Sequence, residues 1–278
     1  MSNTFDWATH SGDAWTRRWR AIDAALADLA PKLHHALLDF VPAEPFNALD
    51  VGCGAGSTSE QLALERIDAT IIGCDLSPSL VRLAQDRLAD LKSVHILLGD
   101  APIVAASEVP FDLIFSRHGV MFFDDPVTAF RSLRAATNPG GAIVFSCFQN
   151  WRANPWASEL ASAAADQELP PPGREAGGFA FADPDHVRQI LGSAGWNNAE
   201  LRPAPFRYIA GVGQGAVEQA LNFLSDVGPA SRVLSALPDS DRPAAVERMR
   251  HVLESHRVGE TIEFPAAAWL WSAQVPTR

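Results

Sequence analysis

Cysteine, tyrosine and methionine are scarce in this 278-residue chain, which holds 3 Cys, 1 Tyr and 3 Met. Cys53, Cys74 and Cys147 are odd in number, far apart and never in a C-x-x-C pair. That spacing excludes a disulfide framework and a thiolate zinc site, so no metal is expected. Free thiols in apolar surroundings fit a reducing, cytoplasmic location. Cations are short too: 22 Lys plus Arg against 33 Asp plus Glu leave a formal charge of −11. A nucleic-acid footprint needs clustered Lys and Arg over phosphates, and only Arg17, Arg18 and Arg20 cluster, so no nucleic-acid partner is expected. No apolar run reaches the roughly 18–20 residues of a membrane span. The opening Met1-Ser2-Asn3-Thr4-Phe5-Asp6 lacks the basic and apolar regions of a signal peptide.

Hydrophobic residues at 47% and charged residues at 20% are ordinary globular proportions, which excludes a disordered chain. Residues 13–40 repeat Trp15, Trp19, Ile22, Leu26, Leu29, Leu33 and Leu37 at helical spacing, with Pro31 dividing them into two helices. Short apolar runs at 46–51, 70–75, 94–99, 111–116 and 141–148 predict strands. Helical patterns at 58–65, 78–91 and 126–136 alternate with them, and Asn138-Pro139-Gly140-Gly141 predicts a turn before the fifth strand. The alternation predicts an α/β fold, a parallel sheet covered by helices on both faces. After Phe148 the pattern changes to helices at 155–167 and 183–194, a strand at 200–209, helices over 213–256 broken near Gly228-Pro229 and Pro238, and a strand at 260–274. With no repeat and no long linker, residues 1–278 are expected to form one domain. Its core would span 45–150, and 1–40, 150–195 and 210–258 would supply a helical cap.

The most informative stretch is Leu49-Asp50-Val51-Gly52-Cys53-Gly54-Ala55-Gly56-Ser57-Thr58, between a strand and a helix. Glycines there let a ligand approach the backbone. A dinucleotide fingerprint would need its third glycine at Ser57, and Asp50 ahead of the loop would repel a pyrophosphate. The pattern therefore counts against a nicotinamide-dependent dehydrogenase and suits a ligand with a cationic amine. Asp75, about 20 residues on, ends the next strand, where a carboxylate can accept both hydroxyls of a ribose. Its alternative role is a helix N-cap, for which Ser77 is better placed. Asp100 ends the third strand in the same way and could accept an adenine amino group. Three acids at consecutive strand ends mark one crevice.

The runs LDVGCGAGST, GCDLSP, GDA, FDLIFSRHGVMFF and NPGGAIVFSCF, in that order over roughly residues 45–150, resemble the class I S-adenosylmethionine-dependent methyltransferases. The resemblance implies a Rossmann-like, seven-stranded, mostly parallel sheet whose final strands reverse at the edge. It implies S-adenosyl-L-methionine as cofactor. The methionine part would lie against Asp50, Gly52, Cys53, Gly54 and Gly56, the ribose at Asp75 and Leu76, and adenine at Asp100 and Ala101. Ser116, Arg117 and His118 would border the amine and the methyl group. The chain is also similar to a bacterial small-molecule subgroup with a tryptophan-rich N-terminal helix and late motifs NPW and FAFADP. Trp7, Trp15 and Arg18 match that helix, which brings Trp15 and Arg18 to the cofactor, while Trp19 departs from the pattern. Magnesium-holding acids, a D/N-P-P-Y stretch and a Pro-Cys pair, the marks of catechol, DNA amino and cytosine methyltransferases, are absent at the fourth strand.

The implied activity is methyl transfer to oxygen or nitrogen of a small, apolar or aromatic acceptor. Its alternatives are C-methylation of a quinol- or lipid-like ring and a non-catalytic cofactor-binding regulator. His118, where the subgroup has apolar or aromatic residues, is the candidate general base, or else a residue that only lines the pocket. As a base it would show a transition expected from the unperturbed value of about 6.5, shifted by burial in a direction the sequence does not assign. Met121, Phe122, Trp156, Phe179, Phe181 and Phe223 are expected to line the acceptor site, with Phe123, Trp151 and Phe206 as further candidates. The helices over 213–256 would act as a lid. Oligomeric state is not encoded in any of these patterns.

Overall fold

A computed structural model describes residues 6–277, so residues 1–5, the part read above for a signal peptide, lie outside the described residues. The chain opens with α1 (His10–Ala25) and α2 (Ala30–Leu38), and Pro31 occupies the first turn of α2, where a missing N–H costs nothing. Four strand–helix units and a fifth strand follow: β1 (Phe46–Val51), α3 (Ser57–Glu65), β2 (Ala69–Asp75), α4 (Pro78–Arg87), β3 (Val94–Leu98), α5 (Ala101–Ser107), β4 (Phe111–Arg117), α6 (Pro126–Ala135) and β5 (Thr137–Phe148). Then come α7 (Pro155–Ala165), α8 (Pro184–Ser193), β6 (Asn197–Val212), α9 (Ala216–Asp226), α10 (Pro229–Ala236), α11 (Arg242–Ser255), β7 (Arg257–Val258) and β8 (Thr261–Gln274).

The strand order is β3-β2-β1-β4-β5-β8-β6, with the two-residue β7 added on β8. β1 to β5 are parallel, and β8 runs antiparallel to both β5 and β6. Only β8 reverses, therefore, whereas both final strands were expected to. The short β7 is an eighth strand where seven were expected, and the sheet is otherwise the one the sequence predicts. β1, β4 and most of β5 are buried almost without interruption because helices cover both faces. The inner half of β6 alternates buried and exposed residues, as an edge strand with one wet face should.

Local chemistry sets the helix starts that matter for the site. Ser77 Oγ accepts from the Leu80 amide at 3.3 Å and Pro78 sits in the first turn of α4. That cap relieves Asp75 of any capping duty. Asp183 caps α8 in the same manner through the Asp185 amide at 3.0 Å. The expected turn at 138–141 is instead part of β5, because the register against β4 slips between Phe111 and Leu113 and absorbs it. Asn138 Nδ2 donates to Asp112 Oδ1 at 2.7 Å across this irregularity. α4 stops at Arg87, short of 91, and α5 was not expected at all. α7, α9, α10 and α11 pack on one another, while α1 lies against α4, β6 and α9 and so bridges the cap to the sheet. Gly12 allows that bridge, since a Cβ there would fall 2.3 Å from Ser77 Oγ. Among the described residues no helix is long and apolar enough to cross a membrane.

Candidate active site

β1 ends in a loop whose glycines Gly52, Gly54 and Gly56 take φ of 66°, 56° and 80°. The three do different work. A Cβ on Gly56 would lie 2.6 Å from Leu88 Cδ1, so this glycine serves packing. A Cβ on Gly54 would meet nothing within 4 Å, so it would project into the adjoining cavity. Its amide donates to Asp75 Oδ2 at 3.0 Å, and the Ser77 amide donates to Asp75 Oδ1 at 2.9 Å, so the ribose candidate is stitched to the loop. Cys53 packs downward against Val81, Ala84, Leu88 and Ile96 and presents no side chain to a ligand.

Above the loop opens a cavity of about 440 Å³. Gly52 and Gly54 form one wall, Asp75 with Leu76 and Asp100 with Ala101 another, and Trp7 and Trp15 also line it, with Arg117 and His118 at its inner end. Burial pushes the Asp75 carboxyl up against the opposing pull of the Ser77, Gly54 and Leu76 amides. Burial raises Asp100 as well, opposed by the Ala101 amide and reinforced by the charge of Asp124. Both acids stand where the sequence puts them.

Five expected cofactor residues do not line this cavity: Cys53 and Gly56, which pack as described above, and Asp50, Ser116 and Arg18. Asp50 lies beneath the loop, fully buried, with Oδ2 accepting from Ser59 Oγ at 2.7 Å, and burial pushes it up to about 7. Ser116 Oγ donates to the Val51 carbonyl at 2.7 Å and accepts from the Gly119 amide at 3.0 Å. It draws the β4 turn onto the glycine loop, and a Cβ on Gly119 would sit 2.5 Å from that same carbonyl. Arg18 Nε is bonded to Asp226 Oδ2 at 2.8 Å, tying α1 to α9. Its charge is spent on the cap.

Asp23 was missed. Its Oδ1 accepts from Arg117 Nη2 at 2.7 Å and Ser57 Oγ at 3.0 Å, and its Oδ2 from Arg87 Nη1 at 2.9 Å. Burial pushes Asp23 up, but the charge and hydrogen bonds of Arg117, with those of Arg87 and Ser57, hold it below the usual carboxylate range. Arg87 also pairs with Glu60 and stacks 4.9 Å from the Trp19 ring. One acid on α1 thus fastens the cap to the ends of α3, α4 and β4.

A second cavity, of about 630 Å³, lies under the cap. Met121, Phe122, Trp156, Phe179 and Phe223 line it as expected, and Phe148 and Tyr208 join them. Phe181 does not: it is 2% exposed and packs 6.1 Å from Phe130 and 6.3 Å from Phe145 in the sheet core. Phe123 lines the first cavity, and Trp151 and Phe206 line neither. Trp156 and Tyr208 stack at 4.4 Å with an interplanar angle of 3°, and Tyr208 and Phe223 align within 4°. Tyr208, the chain's sole tyrosine, makes no hydrogen bond among the described residues. Trp15, His118 and Phe122 belong to both cavities. These three side chains form the boundary that the two spaces share.

His118 sits at that boundary with a left-handed backbone, φ 63°, which costs a non-glycine residue on the order of 1 kcal/mol. Its Nδ1 is 2.8 Å from Ser146 Oγ, its ring is 4.1 Å from that of Phe148, and its buried Nε2 has no hydrogen-bond partner among the described residues. Burial first, and then the Arg117 charge, lower its pKa to about 3, which gives the direction of shift from 6.5 that the sequence left open. The imidazole is neutral throughout the physiological range. Among the described residues no group of three His, Cys, Asp or Glu could hold a metal ion.

Residues 49–145 match the family described as methyltransferase domain. The chain is 32% identical over 105 residues to malonyl-[acyl-carrier protein] O-methyltransferase 1 of Ilyobacter polytropus, a match covering 38% of this chain and 39% of that one. Over residues 49–145 the chain is thus similar to the class I S-adenosylmethionine-dependent methyltransferases that its motifs resemble. S-adenosyl-L-methionine, the cofactor expected from the motifs, is the one this family uses. Phosphoethanolamine N-methyltransferase of Triticum aestivum is 29% identical over 196 residues, 69% of this chain and 36% of that one. Phosphoethanolamine N-methyltransferase 2 of Haemonchus contortus, solved with phosphomonomethylethanolamine and S-adenosylhomocysteine, shares the fold at 17% identity. That superposition covers 98% of this chain and 58% of the other, with a TM-score of 0.57. The chain's matches span about two fifths to a half of the first curated relatives it resembles.

Proposed function

We propose that this chain transfers a methyl group from S-adenosylmethionine in the first cavity to oxygen or nitrogen of a small acceptor in the second. The observation that carries this is the shared boundary at Trp15, His118 and Phe122. A methyl donor and acceptor must touch in line, and two cavities that meet at one point allow it. The cofactor's fit rests on Gly54, where a Cβ would intrude on the cavity, and on two acids at adjacent strand ends. Gly52 and Gly54 offer backbone to the methionine part, Asp75 accepts the ribose hydroxyls, and Asp100 with Ala101 receives adenine. S-adenosylmethionine, if bound there, would supply a methyl carbon on a sulfonium whose C–S bonding pair could leave with sulfur.

His118 orients the acceptor in this reading. A neutral imidazole has one N–H and one lone pair; Ser146 engages one and Nε2 offers the other to the acceptor. A group with a pKa of about 3 is too weak a base to hold a proton at neutral pH, so the acceptor brings its own nucleophile, as a free amine, carboxylate or ionised hydroxyl. The relatives' names, an O-methyltransferase and N-methyltransferases, support oxygen and nitrogen over carbon. The cap elements act with the core as one catalytic unit. The test is a panel of carboxylates, phenols and amines incubated with methyl-labelled S-adenosylmethionine. Label transfer matched one to one by S-adenosylhomocysteine is the expected result. Tight cofactor binding with no transfer to any member would favour a cofactor-binding regulator.

A further inference from the structure

The second cavity has a polarity gradient along its length. Its inner part is buried and aromatic, with Phe148, Trp156, Tyr208 and Phe223 beside His118. Besides His118, its ionisable lining residues are His10, Arg17, Asp226 and Arg232. Asp226 is already bonded to Arg18 at 2.8 Å, so its negative charge is answered outside the cavity lining. Arg17, on α1, is exposed and makes no ion pair or hydrogen bond among the described residues. Arg232, on α10, is surface-exposed yet partly desolvated, burial lowering its pKa, and it lines the cavity with Arg17 at the wet end. The Tyr208 hydroxyl and His118 Nε2 are the polar groups left without hydrogen-bond partners at the dry end.

We infer that the acceptor is an amphipathic anion, with an apolar or aromatic body against Trp156, Tyr208 and Phe223 and a carboxylate or phosphate held by Arg17 and Arg232. The inference rests on the methyltransferase reading for the word acceptor; the anion preference itself is a property of the cavity. Arginine forms charge-assisted, often bidentate bonds to such groups, stronger than its bonds to a neutral oxygen. The aromatic wall excludes a small, wholly hydrated anion, and the arginines disfavour an ammonium at the same end.

The test uses the full chain and four probes that share one body: 2-naphthoate, 2-naphthyl phosphate, 2-naphthylmethanol and 2-naphthylmethylammonium. Each is titrated by tryptophan fluorescence and calorimetry, with and without S-adenosylhomocysteine. At least one anion should bind about ten-fold or more tighter than the alcohol, and the ammonium weakest. Which anion wins distinguishes carboxylate from phosphate. The preference should shrink at high salt and fall to about two-fold in the Arg17→Gln/Arg232→Gln protein, with S-adenosylhomocysteine affinity and thermal unfolding unchanged. An alcohol or ammonium that binds as well as both anions overturns the inference. So does a preference that survives the double substitution, or no binding of any probe. A protein that prefers the anions but does not bind S-adenosylhomocysteine would instead overturn the methyltransferase reading alone.

Discussion

The first cavity takes its walls from strand ends and loops between Val51 and Ala129 together with Trp7 and Trp15, whereas the second gathers side chains scattered from His10 to Ala236. The first uses backbone and acids, and the second uses rings. Backbone approach demands glycine in a fixed pattern, and strand ends space their acids regularly, so such a site is written in short contiguous motifs. A ring can line a cavity from any element that the cap happens to bring near. The contrast predicts that substitutions in one cavity leave the ligand of the other nearly untouched.

Gly54→Val should break the first cavity most completely. Its side chain enters the ligand space, and a β-branched residue at φ 56° adds strain of about 1–2 kcal/mol. S-adenosylhomocysteine affinity, by calorimetry, should fall at least about 100-fold, while the folded protein persists because no described atom lies within 4 Å of the new Cβ. Asp75→Asn comes next, with a loss of roughly 1.5–3 kcal/mol in cofactor binding from weakened charged hydrogen bonds. Equal affinity in wild type and variant would remove Asp75 from the site.

Trp156→Ala sharpens the contrast from the other side. The acceptor's KM should rise about 10-fold as stacking area is lost, while S-adenosylhomocysteine affinity stays within about two-fold. Cofactor affinity that falls equally would show one merged site.

Legibility followed the same division. Gly52, Gly54, Asp75 and Asp100 could be brought to the first cavity from spacing because the strand-end geometry that places them there is local. Asp50 and Ser116 belong to the same motifs but brace the loop from below, a distinction that depends on which face each side chain takes at a strand end. Asp23 gave no local sign, since its partners Ser57, Arg87 and Arg117 are 34, 64 and 94 residues away. Phe181 and Tyr208 exchanged roles for a similar reason. Nothing in an FAFADP run says which phenylalanine turns into the sheet core. Tyr208, by contrast, could have been found, because the alternation of β6 turns Phe206, Tyr208 and Ala210 to the buried side.

The smallest expected effect concerns pH. With its pKa near 3, His118 stays neutral from pH 5 to 8, so single-turnover rates with an acceptor that does not titrate there should show no transition near 6.5. Its effect on stability has a definite sign. The unfolded chain takes up a proton near 6.5 while the folded chain refuses it, so stability is lost as pH falls from about 6.5 toward 3. Asp50 acts oppositely, since its folded pKa of about 7 exceeds the unfolded 3.8 and stability is lost as pH rises between them. Denaturant melts of His118→Phe across pH 3–7 should show a shallower acid-side decline than wild type.

A crystal structure of the protein with S-adenosylhomocysteine and 2-naphthoate examines the meeting of the two cavities directly. If they form one reaction path, the thioether sulfur will face the second cavity between Trp15, His118 and Phe122, with the naphthalene ring beyond it. A sulfur turned toward bulk solvent, or closed off from the second cavity by those three side chains, would contradict it.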